Sequence, residues 1–236
     1  MPEAALSHHV VPGWFGKLPH LGDFASRRLP PRFIRGWDDW LQHGLASARD
    51  EVGERWLDVY LVAPVRRFWL APGVLGRSAW AGVLMPSVDA VGRHFPMTIA
   101  SPIRDVSKGL ADVLAARVWF HAIDAAARQV LDVHCSVEDL EQHLAAVQGG
   151  PADLHCDAPA QQLADDLMRL QGHPTPQDAD ATLHDHPTLP ASDAPDAKPL
   201  PSSVWWCGDA HQPAQFTCHP SLPPATAFVA LLAGEV

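Results

Sequence analysis

Apolar side chains recur along this chain at two spacings, and each spacing predicts a kind of element. From Pro30 onward Phe33, Trp37, Trp40, Leu41, Leu45 and Ala48 return every three or four residues, one stripe of a helix with Pro31 in its first turn. Leu110, Val113, Leu114, Val118, Ile123, Ala127, Val130 and Leu131 keep that period and predict one long helix over about 109–132. Ser136 with Asp139 three residues on forms a capping box for a second helix, whose stripe of Val137, Leu140, Leu144 and Val147 ends at Gly149 and Gly150. A weaker helical pattern covers 160–170, and a short terminal helix is expected over 224–232.

β-branched and aromatic runs predict strands at 13–19, 56–62 and 65–70 (two strands, or one edge strand bent at Pro64), 79–85 and 95–100, with Pro72-Gly73 and the 87–93 loop as breaks. Residues 203–207 and 214–218 read as a hairpin. In a strand, neighbours point to opposite faces, so Trp205 and Trp206 are expected on the two sides of a sheet, one in the core and one under a helix or at a partner surface. Short connections between consecutive strands favour antiparallel pairing. The expected fold class is α/β in the α+β sense: a mostly antiparallel mixed sheet flanked by helices in three layers. Residues 1–12 read as a flexible leader and 13–236 as one domain. Within it, 172–201 is rich in Pro, Asp and His and poor in large apolar side chains, and is expected to be a disordered acidic loop.

With 47% hydrophobic residues and nine Trp in 236 positions, the chain has the means to build a core. Its longest apolar stretches, 80–85 and 225–233, are far too short to cross a bilayer, so no membrane insertion is expected. Met1-Pro2-Glu3 opens no basic-then-apolar leader, and the expected location is the cytoplasm. The cysteines, at 135, 156, 207 and 218, form no close pair and read as reduced thiols.

The net charge of −10 is unevenly spread: residues 13–104 hold twelve Lys/Arg against eight Asp/Glu, whereas 151–200 hold two against nine. A net anion of this kind does not suit nucleic-acid binding, but a mildly basic face for a protein partner fits the first half.

Sequence motifs for common chemistry are missing. The two glycines of Gly13-Trp-Phe-Gly-Lys17 enclose only two residues, too few for a phosphate-wrapping loop, and no dinucleotide, nucleophile-elbow or zincin pattern occurs. His173, His184, Asp185 and His186 have metal-competent side chains, but they fall in the acidic loop, where nothing fixes ligand geometry. No metal and no cofactor is therefore expected. Asp23 or Asp89 could serve as a base and Arg93 as an anion clamp, while the alternative is that the carboxylates bond turn amides and Arg93 pairs with one of them.

Three ordered strings carry a resemblance: Gly13-Trp-Phe-Gly-Lys-Leu-Pro19 with Gly22-Asp23-Phe24; Trp37-Asp38 with Trp40-Leu41; and Trp80-Ala-Gly-Val-Leu-Met-Pro-Ser-Val-Asp89 followed by Val91-Gly92-Arg93-His-Phe-Pro96. Together with Ser203-Val-Trp-Trp206 and Ser221-Leu-Pro223 they resemble the TagF (ImpM) family of type VI secretion-associated proteins. The resemblance implies a longin-like α/β fold and a non-enzymatic cytoplasmic repressor that binds the forkhead-associated scaffold protein of the system. Trp14, Lys17, Asp23, Arg27, Arg28, Ser87, Asp89, Arg93 and Trp206 are the expected partner-binding residues. A structural component of the machine, or a hydrolase, are the alternatives.

Overall fold

A computed structural model describes residues 10–132, 134–153, 156–170, 202–208 and 215–233. The expected loop at 172–201, with its histidines, lies outside the described residues, as do positions 1–9 of the expected leader.

Seven strands form one sheet in the order β2-β1-β5-β4-β3-β6-β7, and every pairing is antiparallel. They are β1 (Gly13–Gly16), β2 (Ala25–Arg27), β3 (Arg66–Leu70), β4 (Ala79–Met85), β5 (Met97–Ile103), β6 (Ser203–Cys207) and β7 (Gln215–His219). Among the described residues the α-helices are α1 (Pro31–Val52), α2 (Trp56–Leu61), α3 (Leu110–Ala115), α4 (Arg117–Gln129), α5 (Val137–Ala146), α6 (Ala158–Leu170) and α7 (Phe228–Ala233).

The helices divide between the two faces. One core joins α1, α2 and α7 to Phe68, Leu70, Trp80 and Trp205; the other joins α3, α4, α5 and α6 to Trp14, Val83, Ile99 and Trp206. Three layers result, and the adjacent Trp205 and Trp206 enter different cores, as strand alternation requires. The central strand β4 is buried along its whole length, which explains its nearly continuous apolar sequence.

The α1 stripe lies across the sheet with Trp37 at its centre. Its Nε1 donates to Thr98 Oγ1 at 2.8 Å, so the buried indole and the buried hydroxyl satisfy each other. Trp40 Nε1 donates to the Pro223 carbonyl at 2.8 Å and ties the C-terminal segment to the same helix.

Three local expectations are corrected. Residues 56–61 form α2, not a strand: Trp56 and Tyr60, four apart, bury together with ring centroids 5.1 Å apart, while Leu57 and Leu61 stay exposed. The expected long helix at 109–132 is broken at Ala116, whose ψ of 42° leaves the helical region. The break lets α3 pack on α6 while α4 lies across β4 and β5. The three-residue β2 is additional to the predicted strands; it lies between a turn and a proline pair and is too short to show a period of two.

Candidate functional site

β1 ends at Gly16, where a Cβ would come within 2.3 Å of the Pro96 carbonyl and φ is +143°. Only glycine fits so close to a neighbouring backbone in that conformation. The chain then delivers Lys17 beneath the 87–93 loop. Lys17 Nζ lies 2.9 Å from Asp89 Oδ2, and the same oxygen accepts from Arg93 Nε at 2.7 Å. Asp89 Oδ1 accepts from the amides of Val91 at 3.0 Å and Arg93 at 2.8 Å. Burial pushes the Asp89 carboxyl upward, but the bonds from Lys17 and from the amide and guanidinium of Arg93 outweigh it and hold the group well below the usual carboxylate range.

This loop is also stitched to its surroundings. Ser87 Oγ donates to the Lys17 carbonyl at 2.7 Å, and Tyr60 Oη donates to the Ser87 carbonyl at 2.9 Å while accepting its amide at 3.0 Å. Ala90 N donates to the Leu21 carbonyl at 2.9 Å, and Arg93 Nη2 donates to the Gly22 carbonyl. The turns at 18–24 and 87–93 therefore form one rigid unit. Its outer surface carries Asp23, Arg93 and Val91, all exposed, and Phe24, whose ring packs on Phe15 and Phe95 but remains 44% exposed. Asp23 Oδ1 accepts the Phe24 amide at 2.8 Å.

A second cluster sits on the α5 side of the β1–β2 edge. Trp14 is fully buried, and its Nε1 donates to Glu141 Oε1 at 2.6 Å. Arg28 embraces the same carboxylate, Nη2 reaching Oε1 at 3.0 Å and Nη1 bonding Oε2, while its Nε donates to the Pro12 carbonyl at 3.1 Å. Arg28 has φ of +60°, a left-handed conformation unusual for a residue with a Cβ. Arg27 places its guanidinium 5.9 Å from the centre of the Trp14 ring. Burial works to raise the Glu141 carboxyl, but the bonds from Arg28 and Trp14 prevail and hold it below its ordinary value.

Trp206 lies under α4, edge-on to Phe120 at 5.0 Å and stacked on Phe216 at 6.0 Å. Trp14, Lys17, Ser87, Asp89 and Trp206 are thus buried in the chain itself. In place of the surface contacts expected of them, Lys17, Ser87 and Asp89 bond together beneath the exposed Arg93, Trp14 packs beneath Arg27, and Trp206 packs under α4. Lys17, Asp23, Ser87, Asp89 and Arg93 are brought together; Trp206 stands apart, across the sheet. Of the turn readings, the one in which Asp89 bonds turn amides and pairs with Arg93 is the one the geometry adopts. Glu141 and Tyr60, which organise the two clusters, escaped sequence reasoning because neither belongs to a recognisable motif.

The four cysteines are free thiols. Among the described residues no group of three His, Cys, Asp or Glu is placed to hold a metal ion, and no helix is long and apolar enough to cross a membrane.

Comparison with known proteins places this geometry in context. Residues 13–147 match the model of the TagF N-terminal domain, described as type VI secretion system-associated. The chain is similar to PA0076 from Pseudomonas aeruginosa PAO1, known from a crystal structure, at 34% sequence identity over 95% of each chain with a TM-score of 0.70. No curated protein matches the sequence.

Proposed function

This chain belongs to the TagF family of type VI secretion-associated proteins and has an accessory role in that system, and we propose that it acts there as a post-translational negative regulator, binding the system's forkhead-associated scaffold protein in the cytoplasm. The observation that supports this reading is the rigid double turn at 18–24 and 87–93. It presents an exposed aromatic, an exposed valine and charges of both signs over a buried ion pair, the composition of a preorganised protein-binding surface. A catalytic role is not proposed for either carboxylate. Both oxygens of Asp89 are committed to partners that keep it ionised, and Asp23 bonds its neighbour's amide at the surface.

The test is co-purification with the forkhead-associated protein, using the full chain and the variants Phe24→Ala, Arg27→Glu and Arg93→Glu. Capture by the parent chain, weakened in the variants while their melting temperatures stay close to the parent's, is the expected result. Equal capture by all four removes the surface from the proposal, and no capture at micromolar concentration removes the partner. Deletion in cells should raise secretion; abolished secretion would instead mark a structural component of the machine.

A further inference from the structure

At the end of the sheet opposite the Lys17–Asp89 pair, where β1 and β4 begin and β5 ends, several arginines gather. Ala79 faces Ile103 in the β4–β5 register, so Ser78 and Arg104 leave the sheet side by side, with Arg77 next along the loop. The first turns of α1 pack against that same loop, since a Cβ on Gly36 would approach Leu75 Cδ2 to 2.8 Å. Arg32 lies one turn before Gly36, and Arg35 immediately precedes it. Arg32, Arg35, Arg77 and Arg104 are all exposed, and none forms an ion pair among the described residues.

This clustering runs against two tendencies. The chain as a whole carries a charge of −10, so four guanidinium groups at one end with no ion-pair partner among the described residues run against its average sign. Arg32 and Arg35 also stand near the start of α1, whose first turn holds no acidic residue, where the helix dipole favours anions and disfavours cations. Neither placement helps the isolated chain to fold.

Beside Arg104 opens a cavity of about 250 Å³. Val10, Pro102, Ile103 and Ala152 give it apolar walls, and Arg104 lines it beside Lys108, whose ammonium pairs with Asp112 at 2.9 Å. Asp105 and Asp153 line it as well, which interrupts the basic field and disfavours the continuous negative charge of a nucleic-acid backbone or a lipid surface.

We propose that this end of the molecule is a docking surface for an acidic segment of a protein partner, with carboxylates pairing to Arg32, Arg35, Arg77 and Arg104 and one apolar side chain entering the cavity beside Ile103. The planar guanidinium fork suits carboxylates, and the apolar cavity adds an anchor that charge alone does not supply. The surface is separate from the double turn at 18–24 and 87–93, so it stands or falls independently of that reading.

The experiment is fluorescence anisotropy of a labelled Glu-Asp-Leu-Asp-Glu peptide titrated with the full chain. Saturable binding is expected, weakened about tenfold by Arg77→Glu with Arg104→Glu, in line with the loss of close complementary charges. Binding should be severalfold weaker when the peptide leucine is replaced by serine, and unchanged in Arg55→Glu, an exposed charge in the turn after α1. Equal melting temperatures for parent and double variant exclude misfolding; if they differ, Arg77→Gln and Arg104→Gln taken singly replace the double change. The proposal is overturned by no binding, by undiminished binding to the double variant, or by an equal loss with Arg55→Glu. It is also overturned by indifference to the peptide leucine, or by tighter binding of a DNA duplex or phosphatidylserine vesicles than of the peptide.

Discussion

Asp89 receives Lys17 from seventy-two positions earlier in the chain, with the ammonium 2.9 Å from Oδ2 and both side chains almost wholly shielded from water. An ion pair taken out of solvent stabilises a fold only when its remaining bonding capacity is used. Here the remaining acceptor sites of Asp89 take the Val91 and Arg93 amides and the Arg93 guanidinium.

Asp89→Asn should therefore lower the melting temperature by leaving Lys17 buried without a counter-charge, and Lys17→Met together with Asp89→Asn should recover part of the loss. The pH dependence has a definite sign. The carboxyl is depressed in the folded state, so its contribution is complete above the unfolded carboxyl pKa of about 3.9 and fades as pH falls below that value. Denaturant titrations at several pH values should find the gap between parent and Asp89→Asn constant above about pH 5 and narrowing in stronger acid. A gap independent of pH down to the lowest values would show that the charge is not what stabilises the loop.

Glu141 serves two donors at once, the Trp14 indole and the Arg28 guanidinium. The two can be separated. Glu141→Gln keeps an acceptor for the indole and weakens only a partly exposed ion pair, so its cost should be below about 1 kcal/mol. Glu141→Leu leaves the Trp14 Nε1 without a partner, a cost of about 1–3 kcal/mol. Urea unfolding of both variants measures the difference, and equal values would place the stabilisation in the ion pair alone.

How far the fold could be read in advance depended on whether its cause was local. The α1 stripe was legible because Phe33, Trp37 and Leu41 repeat the helical period, and the opposite burial of Trp205 and Trp206 follows from strand alternation alone. The turn around Asp89 was legible because its amide partners lie within four residues. Glu141 was not, since the indole it accepts from is 127 positions away and only the packing of α5 against β1 unites them. Trp56 and Tyr60 misled because a short aromatic run suits a strand and a buried helical turn equally well, and the choice falls to the surface beneath it. The break at Ala116 likewise answers to two packing partners, α6 and the sheet, that a continuous apolar period cannot announce.

Arg66 presents a different use of charge. It is buried on β3 and directs Nε to the Leu231 carbonyl at 2.6 Å and Nη2 to the Ala230 carbonyl at 3.3 Å, while Nη1 meets Cys207 Sγ at 3.1 Å. The last turn of α7 thus gains a cation at its negative end and donors for carbonyls that have no partner within the helix. Arg66→Met should cost about 2–4 kcal/mol, the range for losing buried charged hydrogen bonds. Hydrogen exchange at 228–233 should accelerate more than exchange in β4. Uniform acceleration across both segments would argue that Arg66 supports the whole sheet instead of latching α7.

Gly44 tests the packing of α1 against α7 at a single methyl group. In the interior of a helix alanine is favoured over glycine by about 1 kcal/mol, so on propensity alone Gly44→Ala should stabilise. The new Cβ, however, would lie 2.2 Å from Phe228 Cδ2 and 2.5 Å from Cε2, on a ring that is fully buried. A planar ring confined on all sides has no rotamer into which to retreat, so α7 must move or α1 must bend, at about 1–3 kcal/mol. The two effects oppose, and packing outweighs propensity: Gly44→Ala should be net destabilising by roughly 1 kcal/mol. Adding Phe228→Leu should reverse the sign of the Gly44→Ala effect, because the smaller side chain frees the volume the methyl needs. A double-mutant cycle by thermal unfolding measures that coupling, and additive effects would show that Gly44 and Phe228 are not in the contact described.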